Sequence, residues 1–278
     1  MRLLHFSKTL CCLAFFLAFA ASGDSQVYQW QENNKTYFSD KPHPNAKIIP
    51  IKATLSYYTV KKVLDGDTII LDENTHIRLL GINTPEVGGR FKSTEAGGER
   101  AKQWLKQQLQ GQRVRLETDV EKQDRYKRTL AHIFTETGLH MNLELVRNGL
   151  ATASIYPPNL NYSNALIAAE QLAERHQLGI WQEAAYSVKT VTSIDESVLS
   201  GWQRICGTPK SIHTSSRYAY LDFNNDFSIR IARDNLSLFP DLKTYLGHQV
   251  EVRGWINQQQ SGYSLLIRHP HAIKITSN

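Results

Sequence analysis

Asp65-Gly66-Asp67-Thr68 and the stretch Arg78-Leu79-Leu80-Gly81-Ile82-Asn83-Thr84-Pro85-Glu86 decide the reading of this chain. Aspartate and glycine favour tight turns for backbone reasons, and apolar runs flank this pair of acids. Thr59 to Leu64 alternates weakly, Thr68 to Leu71 is β-branched and apolar, Asp72-Glu73-Asn74 turns the chain, and His76 to Leu80 runs back. The pattern predicts a β-meander with Asp65 to Asp67 at one of its turns. Proline fixes its own φ and biases the preceding residue towards extended backbone, so Thr84-Pro85-Glu86 is a rigid way to hold one carboxylate. A third cluster, Asp124-Arg125-Tyr126-Lys127-Arg128, adds guanidinium groups. Together the clusters supply acidic and amide oxygens for a hard cation, arginines for a phosphate and a carboxylate that can activate water. Hydrolysis of a phosphodiester uses those parts.

Outward from these clusters, Glu95 to Gln110 reads as a helix with Ala101, Trp104, Leu105 and Leu109 on one face and Gly111 as its stop. Val114 to Glu117 and Thr129 to Phe134 read as strands. Met141 to Asn148 reads as a second helix stopped by Gly149, and Ser163 is placed to N-cap a third that ends at Gly179. Upstream, Val27 to Pro42 reads as a hairpin around Asn33-Asn34-Lys35, with Trp30 and Tyr37 packed across it. That segment resembles a small secreted bacterial domain of unknown function. Downstream, the polar stretch 184–200 reads as a linker. The remainder is nearly all β: Tyr218 to Phe223, Phe227 to Ala232, Gln249 to Trp255 and Tyr263 to Arg268 are strand-like, and Asp241 to Gly247 is a short helix. It resembles a second, smaller OB-like barrel.

The first residues have the form of a secretory signal. Arg2 and Lys8 precede the apolar run Thr9 to Ala20, which is too short to span a bilayer. The expected division is therefore a signal peptide at 1–22, a short N-terminal module at 23–50, a central domain at 55–183, the linker at 184–200 and a β module at 201–278. Cys11 and Cys12 leave with the signal, so Cys206 stands alone and the fold rests on its core rather than on a disulfide. The chain carries a formal net charge of +6. From Tyr57 to Glu183 there are 16 basic and 16 acidic residues, and from Ala184 onward 10 basic and 7 acidic. Affinity for nucleic acid from charge alone is then modest and salt-sensitive. The histidines form no helical pair of zinc-binding spacing, and no Gly-x-Ser-x-Gly sequence supports a serine hydrolase.

The order and spacing of the three clusters closely resemble the staphylococcal nuclease (thermonuclease) family, from about Tyr57 to Trp181. The resemblance implies a mainly β fold with helices (α+β), in which five strands form an OB-type barrel with three helices packed on it. It implies calcium as the cofactor, with Asp67, Asn83 and the main-chain carbonyl of Thr84 at the ligand positions. Arg78 and Arg128 would face the scissile phosphate, and Glu86 would act as general base or position the attacking water. Arg125 and Tyr126 match positions that contact terminal phosphate and sugar, and Tyr156 matches an aromatic near the base. Two positions depart from the family pattern. Asn83 stands where Asp is usual, which removes one negative charge from the cation site, and Ser154 stands where a further aromatic is expected.

The expectation is thus a secreted or periplasmic calcium-dependent nuclease. It would act on DNA, RNA or both with little sequence preference, without stable membrane insertion once the signal is cleaved; no protein partner is inferable. The rival expectation is a nucleic-acid-binding protein with a degenerate nuclease-like site. Asn83 favours the rival, and the joint presence of Asp67, Arg78, Glu86 and Arg128 favours the enzyme.

Overall fold

Alternating burial along Val60, Val63, Ile69, Leu71, Ile77 and Leu79 seeds the core of the central domain. A computed structural model describes residues 27–33, 35–49, 55–89, 93–195, 201–259 and 262–276. The expected signal segment lies outside them, as do 196–200 of the expected linker. The strands in chain order are β1 (Val27–Glu32), β2 (Lys35–Ser39), β3 (Lys47–Ile49), β4 (Tyr57–Asp65), β5 (Thr68–Leu71), β6 (His76–Leu79), β7 (Ile82–Asn83), β8 (Arg113–Glu117), β9 (Thr129–Thr135), β10 (Thr152–Ala153), β11 (Val188–Thr190), β12 (Trp202–Gly207), β13 (Ser211–Thr214), β14 (Tyr218–Asp222), β15 (Phe227–Ala232), β16 (Val250–Gln258), β17 (Tyr263–Ile267) and β18 (Ile273–Ile275). Three α-helices occur among the described residues: α1 (Gly98–Leu109), α2 (Met141–Arg147) and α3 (Ser163–Arg175). No described helix is long and apolar enough to cross a membrane.

Residues divide into two units, Met1–Leu55 and Ser56–Asn278. In the first, β1 pairs with β2 and β3 in an antiparallel sheet. Trp30 lies opposite Tyr37, and their rings stack at 5.5 Å while His43 stacks on Trp30 at 4.2 Å.

In the second unit, β4-β5-β6-β9-β8 close into a barrel, giving the mixed, mostly β fold expected from the sequence. Register shifts between Val60 and Lys62 and between Val63 and Asp65 interrupt β4. Such bulges place two residues against one and re-aim the strand, which is why its alternation reads weakly. Helix α1 covers the barrel with Ala101, Leu105 and Leu109. It begins at Gly98 rather than at Glu95, because Gly97 has φ +91°, a left-handed conformation that glycine adopts without strain. Helix α3 ends at Arg175 and a 3-10 turn follows at Gly179–Gln182. Ser163 is the first helical residue; Tyr162 holds the cap position with φ 61° and makes no side-chain cap bond. Asn142, fully buried on α2, donates to the carbonyl of Leu80 and accepts from the N–H of Ile133, fastening the helix to the barrel.

The two-residue strands β7 and β10 pair antiparallel, Asn83 opposite Thr152 and Ile82 opposite Ala153. The Ser154 N–H donates to the carbonyl of Gly81. Gly81 is required there: a Cβ would meet Leu166 Cδ1 at 2.5 Å, and its φ is +73°.

The C-terminal strands form an eight-stranded sheet of order β11-β12-β16-β17-β15-β14-β13, with β18 branching from β16. Among the described residues no pair joins its edge strands β11 and β13. The stretch expected to be a linker is folded in its described part: Ala184–Tyr186 is a 3-10 turn, and β11 pairs parallel with β12. Its polarity misleads because an edge strand keeps one side to solvent. Cys206 on β12 is half-buried.

This sheet packs on the helical side of the barrel domain. Trp181, Tyr186 and Trp202 form an aromatic cluster between them. Beside it, Arg253 pairs with Glu170, Glu174 and Glu251, and Arg204 pairs with Glu174 and Glu251. Burial works against the charge on Arg253, yet Glu170, Glu251 and Glu174 hold its guanidinium protonated beyond its usual range. Burial would likewise raise Glu251, but the hydrogen bond from Arg204 and the charges of Arg253 and Arg204 hold it at about 2.

Two consequences can be measured. Glu170 has no exposed surface, and its carboxylate accepts from the Ala153 N–H, pairs with Arg253 and touches His271. Glu170→Ala leaves Arg253 short of a buried counter-charge and should lower unfolding stability by roughly 3 kcal/mol in a urea titration; a change near zero would mean that the network is not a net support of the interface. Second, His132 and His140 share a hydrogen bond of 3.1 Å. Burial lowers His132 to about 4 against the pull of Asp119 and Glu117; burial, His132 and Arg115 lower His140 to about 4 against Glu117. Both folded-state values lie below the unfolded value of roughly 6.5, so the unfolded chain binds the extra protons. The stabilisation is present above about pH 6.5 and is lost as pH falls towards 4. Melting temperature should drop across that window, and His140→Gln should drop less; equal slopes would remove His140 as a contributor.

Candidate active site

Asp67 ends the turn between β4 and β5, and its backbone carbonyl accepts from the N–H of Leu79. Register then sets Thr68 opposite Arg78 on β6. Asp67 is 5% exposed. It accepts from the Thr84 N–H at 3.1 Å and the Thr68 hydroxyl at 3.1 Å, and pairs with Arg78 at 2.9 Å. Arg78 also donates to the carbonyls of Leu79 and Ile82 and to Asn83 Oδ1. Asn83 Nδ2 in turn donates to the carbonyl of Thr84 at 2.9 Å. Four of the residues singled out in the sequence, Asp67, Arg78, Asn83 and Thr84, are therefore one hydrogen-bonded cluster.

Asn83 joins the two sides of the cluster. Its amide accepts from Arg78 on one side and donates to Thr84 on the other. A carboxylate at this position would set an oxygen against the Thr84 carbonyl with no proton between them.

Gly66 lets the turn approach this loop: a Cβ there would meet Thr84 Oγ1 at 2.7 Å and Ala101 Cβ at 2.8 Å. The Thr84 hydroxyl is itself buried and has no hydrogen-bond partner among the described residues. Burial, with Asp67 and Glu86 adding repulsion, pushes the Asp65 carboxyl up to about 6 despite the N–H donors of Gly66 and Val87. Asp65 thus feels the negative charge of both Asp67 and Glu86, while the amide oxygen of Asn83 and the carbonyl of Thr84 belong to the Asp67 cluster. An all-oxygen set of this kind suits a hard divalent cation such as calcium. Among the described residues no group of three or more His, Cys, Asp or Glu side chains is arranged to hold a metal ion, so a cation bound here would need amide and main-chain oxygens as well.

Glu86 is exposed on the rigid turn after Pro85. Its N–H donates to the Glu95 carboxylate, and the Glu95 N–H donates back to its carbonyl. Gly98 is packed against this turn, where a Cβ would meet the Glu86 carbonyl at 2.7 Å.

Arg78 and Asn83 form one wall of a cleft of about 620 Å³ whose lining includes Arg125, Tyr126, Arg128, Ser154, Tyr156 and Arg268. Arg128 is held by Asp124, whose Oδ2 accepts from Nε at 2.7 Å while Oδ1 accepts from the N–H groups of Tyr126 and Arg128. Burial would raise the Asp124 carboxyl, but those bonds and the Arg128 charge hold it below its usual range. Arg125 donates to the Tyr126 hydroxyl and stacks on its ring. The buried Asn159 exchanges hydrogen bonds with the backbone of Glu121, tying the loop of Tyr156 to the loop that carries Arg125 to Arg128.

Asn159 and Arg268 escaped the sequence reading, as did the role of Asp124 as the clamp on Arg128. Asp124 was visible as the first residue of its cluster, where Asp followed by a short loop predicts an Asx turn. Arg268 carries no such signal, since its neighbours in the cleft are distant in sequence.

The class is now defined: a five-stranded closed barrel with an acidic turn at one end, a guanidinium-lined cleft beside it and three packed helices. Residues 76–183 match the family described as Staphylococcal nuclease homologue. A thermonuclease of Staphylococcus intermedius is 41% identical over 128 residues, 45% of this chain and 76% of that protein. A thermonuclease of Staphylococcus hyicus is 36% identical over 127 residues, covering 45% and 75%, and Endonuclease YncB of Bacillus subtilis is 31% identical over 175 residues, covering 60% and 80%. The chain belongs to the staphylococcal nuclease family.

Arg78 and Arg128 differ in their structural duties. Arg78 neutralises a nearly buried carboxylate and satisfies two carbonyls, whereas the Asp124 partner of Arg128 also has backbone donors. Arg78→Met should cost on the order of 3 kcal/mol in chemical unfolding and Arg128→Met less than about 1 kcal/mol; equal losses would contradict this division.

Proposed function

We propose that this protein is a calcium-dependent nuclease that hydrolyses phosphodiester bonds of DNA, RNA or both with little sequence preference. The observation that carries the reading is the junction of the Asp67–Arg78–Asn83–Thr84 cluster with a cleft lined by Arg125, Arg128, Tyr126 and Tyr156. The relatives named thermonuclease and endonuclease support the same reading.

Asp67, Asn83 and the Thr84 carbonyl would hold the cation. When bound, it supplies Lewis-acid polarisation of a phosphoryl oxygen and neutralises negative charge. The work of the chain's own groups follows from their placement. Arg128, held through Nε by Asp124, presents its Nη groups to the non-bridging oxygens, while Arg78, whose Nη groups serve Asp67, Asn83 and two carbonyls, contributes its fixed positive charge; both stabilise charge that builds up as phosphorus is attacked. Glu86 is exposed and fixed on a turn, so its carboxylate orients a water and accepts its proton. Arg125 and Tyr126 bind the flanking phosphate and sugar, and Tyr156 offers a face to a base. Such stacking accepts every base, which fits low sequence preference. The N-terminal signal-like run supports export to the periplasm or medium.

The alternative of a binding protein with a degenerate site draws on Asn83, which removes one charge from the cation site. One assay separates the two. The mature protein is incubated with single-stranded and duplex DNA in calcium or in excess chelator, beside Arg128→Ala. Fragments should appear with calcium and vanish with chelator, and the variant should lose turnover by about 10²-fold or more with its melting temperature little changed. Binding without cleavage under every condition would establish the alternative, and cleavage that survives chelation would remove the metal assignment.

A further inference from the structure

Arg268, just beyond β17 of the C-terminal sheet, lines the same cleft as Arg78, Arg125 and Arg128. Its guanidinium carbon lies 4.5 Å from the ring centroid of Tyr156. The contact rests on the interface already described: β10 leads into Ser154 and Tyr156, and Glu170 joins the β10 backbone to Arg253 of β16. Ser154, Tyr156 and Arg268 also line a small cavity with Trp202, Trp255 and His271. Where the family pattern has an aromatic, Ser154 leaves room for a side chain that arrives from another part of the chain.

Ion pairing separates Arg268 from the other interfacial arginines. Arg204 and Arg253 are each paired with two or more glutamates. Arg268 is half-buried, and among the described residues no carboxylate pairs with it. A partly desolvated guanidinium without a counter-charge is unfavourable unless an anion meets it. Stacking engages its face and leaves the N–H edge for planar recognition of phosphate. A structural strut would carry a carboxylate partner, as its neighbours do; a strand-binding residue would not.

We propose that Arg268 is a phosphate-binding residue that the C-terminal module contributes to the nuclease cleft, where it holds a backbone phosphate flanking the scissile one, with Tyr156 as the platform that fixes its guanidinium. The inference rests on the nuclease reading and extends it: the cleft takes a strand with several phosphates rather than a single nucleotide, and the C-terminal module is part of the substrate site.

The test uses the full chain and separates binding from chemistry. Anisotropy titrations with a single-stranded phosphorothioate oligonucleotide, in chelator and at a series of salt concentrations, are run on wild type, Arg268→Ala and Arg268→Lys. Arg268→Ala should weaken binding about tenfold and reduce the slope of log affinity against log salt by about 0.7, the value for one phosphate on a single strand. Arg268→Lys should restore the slope and only part of the affinity, since the charge returns without the planar stack. With calcium, KM for a long oligonucleotide should rise about tenfold in Arg268→Ala while kcat changes far less, and a substrate with one phosphodiester should show less than a twofold KM change. An unchanged salt slope would overturn the proposal, as would equal KM losses on long and minimal substrates. If Arg268→Ala fails to fold, Arg268→Gln takes its place in both arms. Because the binding arm needs no cleavage, an inactive wild type would sink the nuclease reading while leaving the role of Arg268 decidable.

Discussion

Glu170 is a carboxylate with no contact with solvent, and its two oxygens serve different parts of the chain. Oε1 accepts the N–H of Ala153, while Oε2 meets Arg253 and His271. A buried charge is tolerable only when its hydrogen-bonding capacity is filled. Barrel residues alone fill half of it, through β10. The other half comes from a strand that lies 83 residues further along the chain. The domain of the family resemblance is therefore completed by the sheet that follows it, and the parallel strand β11 welds the connection between them. The aromatic cluster of Trp181, Tyr186 and Trp202 adds non-polar area at the same seam, where large aromatic surfaces dominate the energetics.

The cluster of Asp67, Arg78, Asn83 and Thr84 shows a comparable economy. In Asp67, Arg78, Asn83 and Thr84 each polar group but the Thr84 hydroxyl is satisfied by another member or by nearby backbone. A second carboxylate in place of Asn83 would depend on a cation to relieve repulsion from Asp67 and the Thr84 carbonyl. The amide removes that dependence and lowers the charge available to hold a cation. Were residue 83 a cation ligand, as proposed, stability of the loop without metal and affinity for metal would pull in opposite directions there.

Much of the central barrel was legible in the sequence because half-buried strands write a period of two. β5, β6 and β9 announce themselves through Ile69, Leu71, Ile77, Leu79, Ala131 and Ile133. Local chemistry also revealed the turn at Asp65 to Asp67 and the loop at Asp124 to Arg128. What stayed hidden depends on partners distant in sequence. β7 and β10 have two residues each, too few for any periodicity, yet they align Asn83 with the approach to Tyr156. β11 looked like a linker because an edge strand of three polar or exposed residues has no pattern to show. Glu170 did leave a trace: it sits on the stripe of α3 formed by Leu166, Ala169 and Ala173, and a carboxylate on an apolar face asks for a partner. The sequence could not say that the partner is Arg253. Nor could it place Arg268 beside Tyr156.

A cleft with walls from two modules ties recognition to assembly. Tyr156 and Arg268 meet only when the C-terminal sheet is seated on α3. Any molecule that touches both walls favours the seated arrangement, and by reciprocity the seated arrangement favours that molecule by the same factor. The interface network of Arg204, Arg253 and their glutamates would then be a term in the affinity for such a molecule, although none of these side chains lines the cleft. Salt, pH or a substitution at the seam would be felt as a change in grip at the cleft, by thermodynamic linkage rather than by contact.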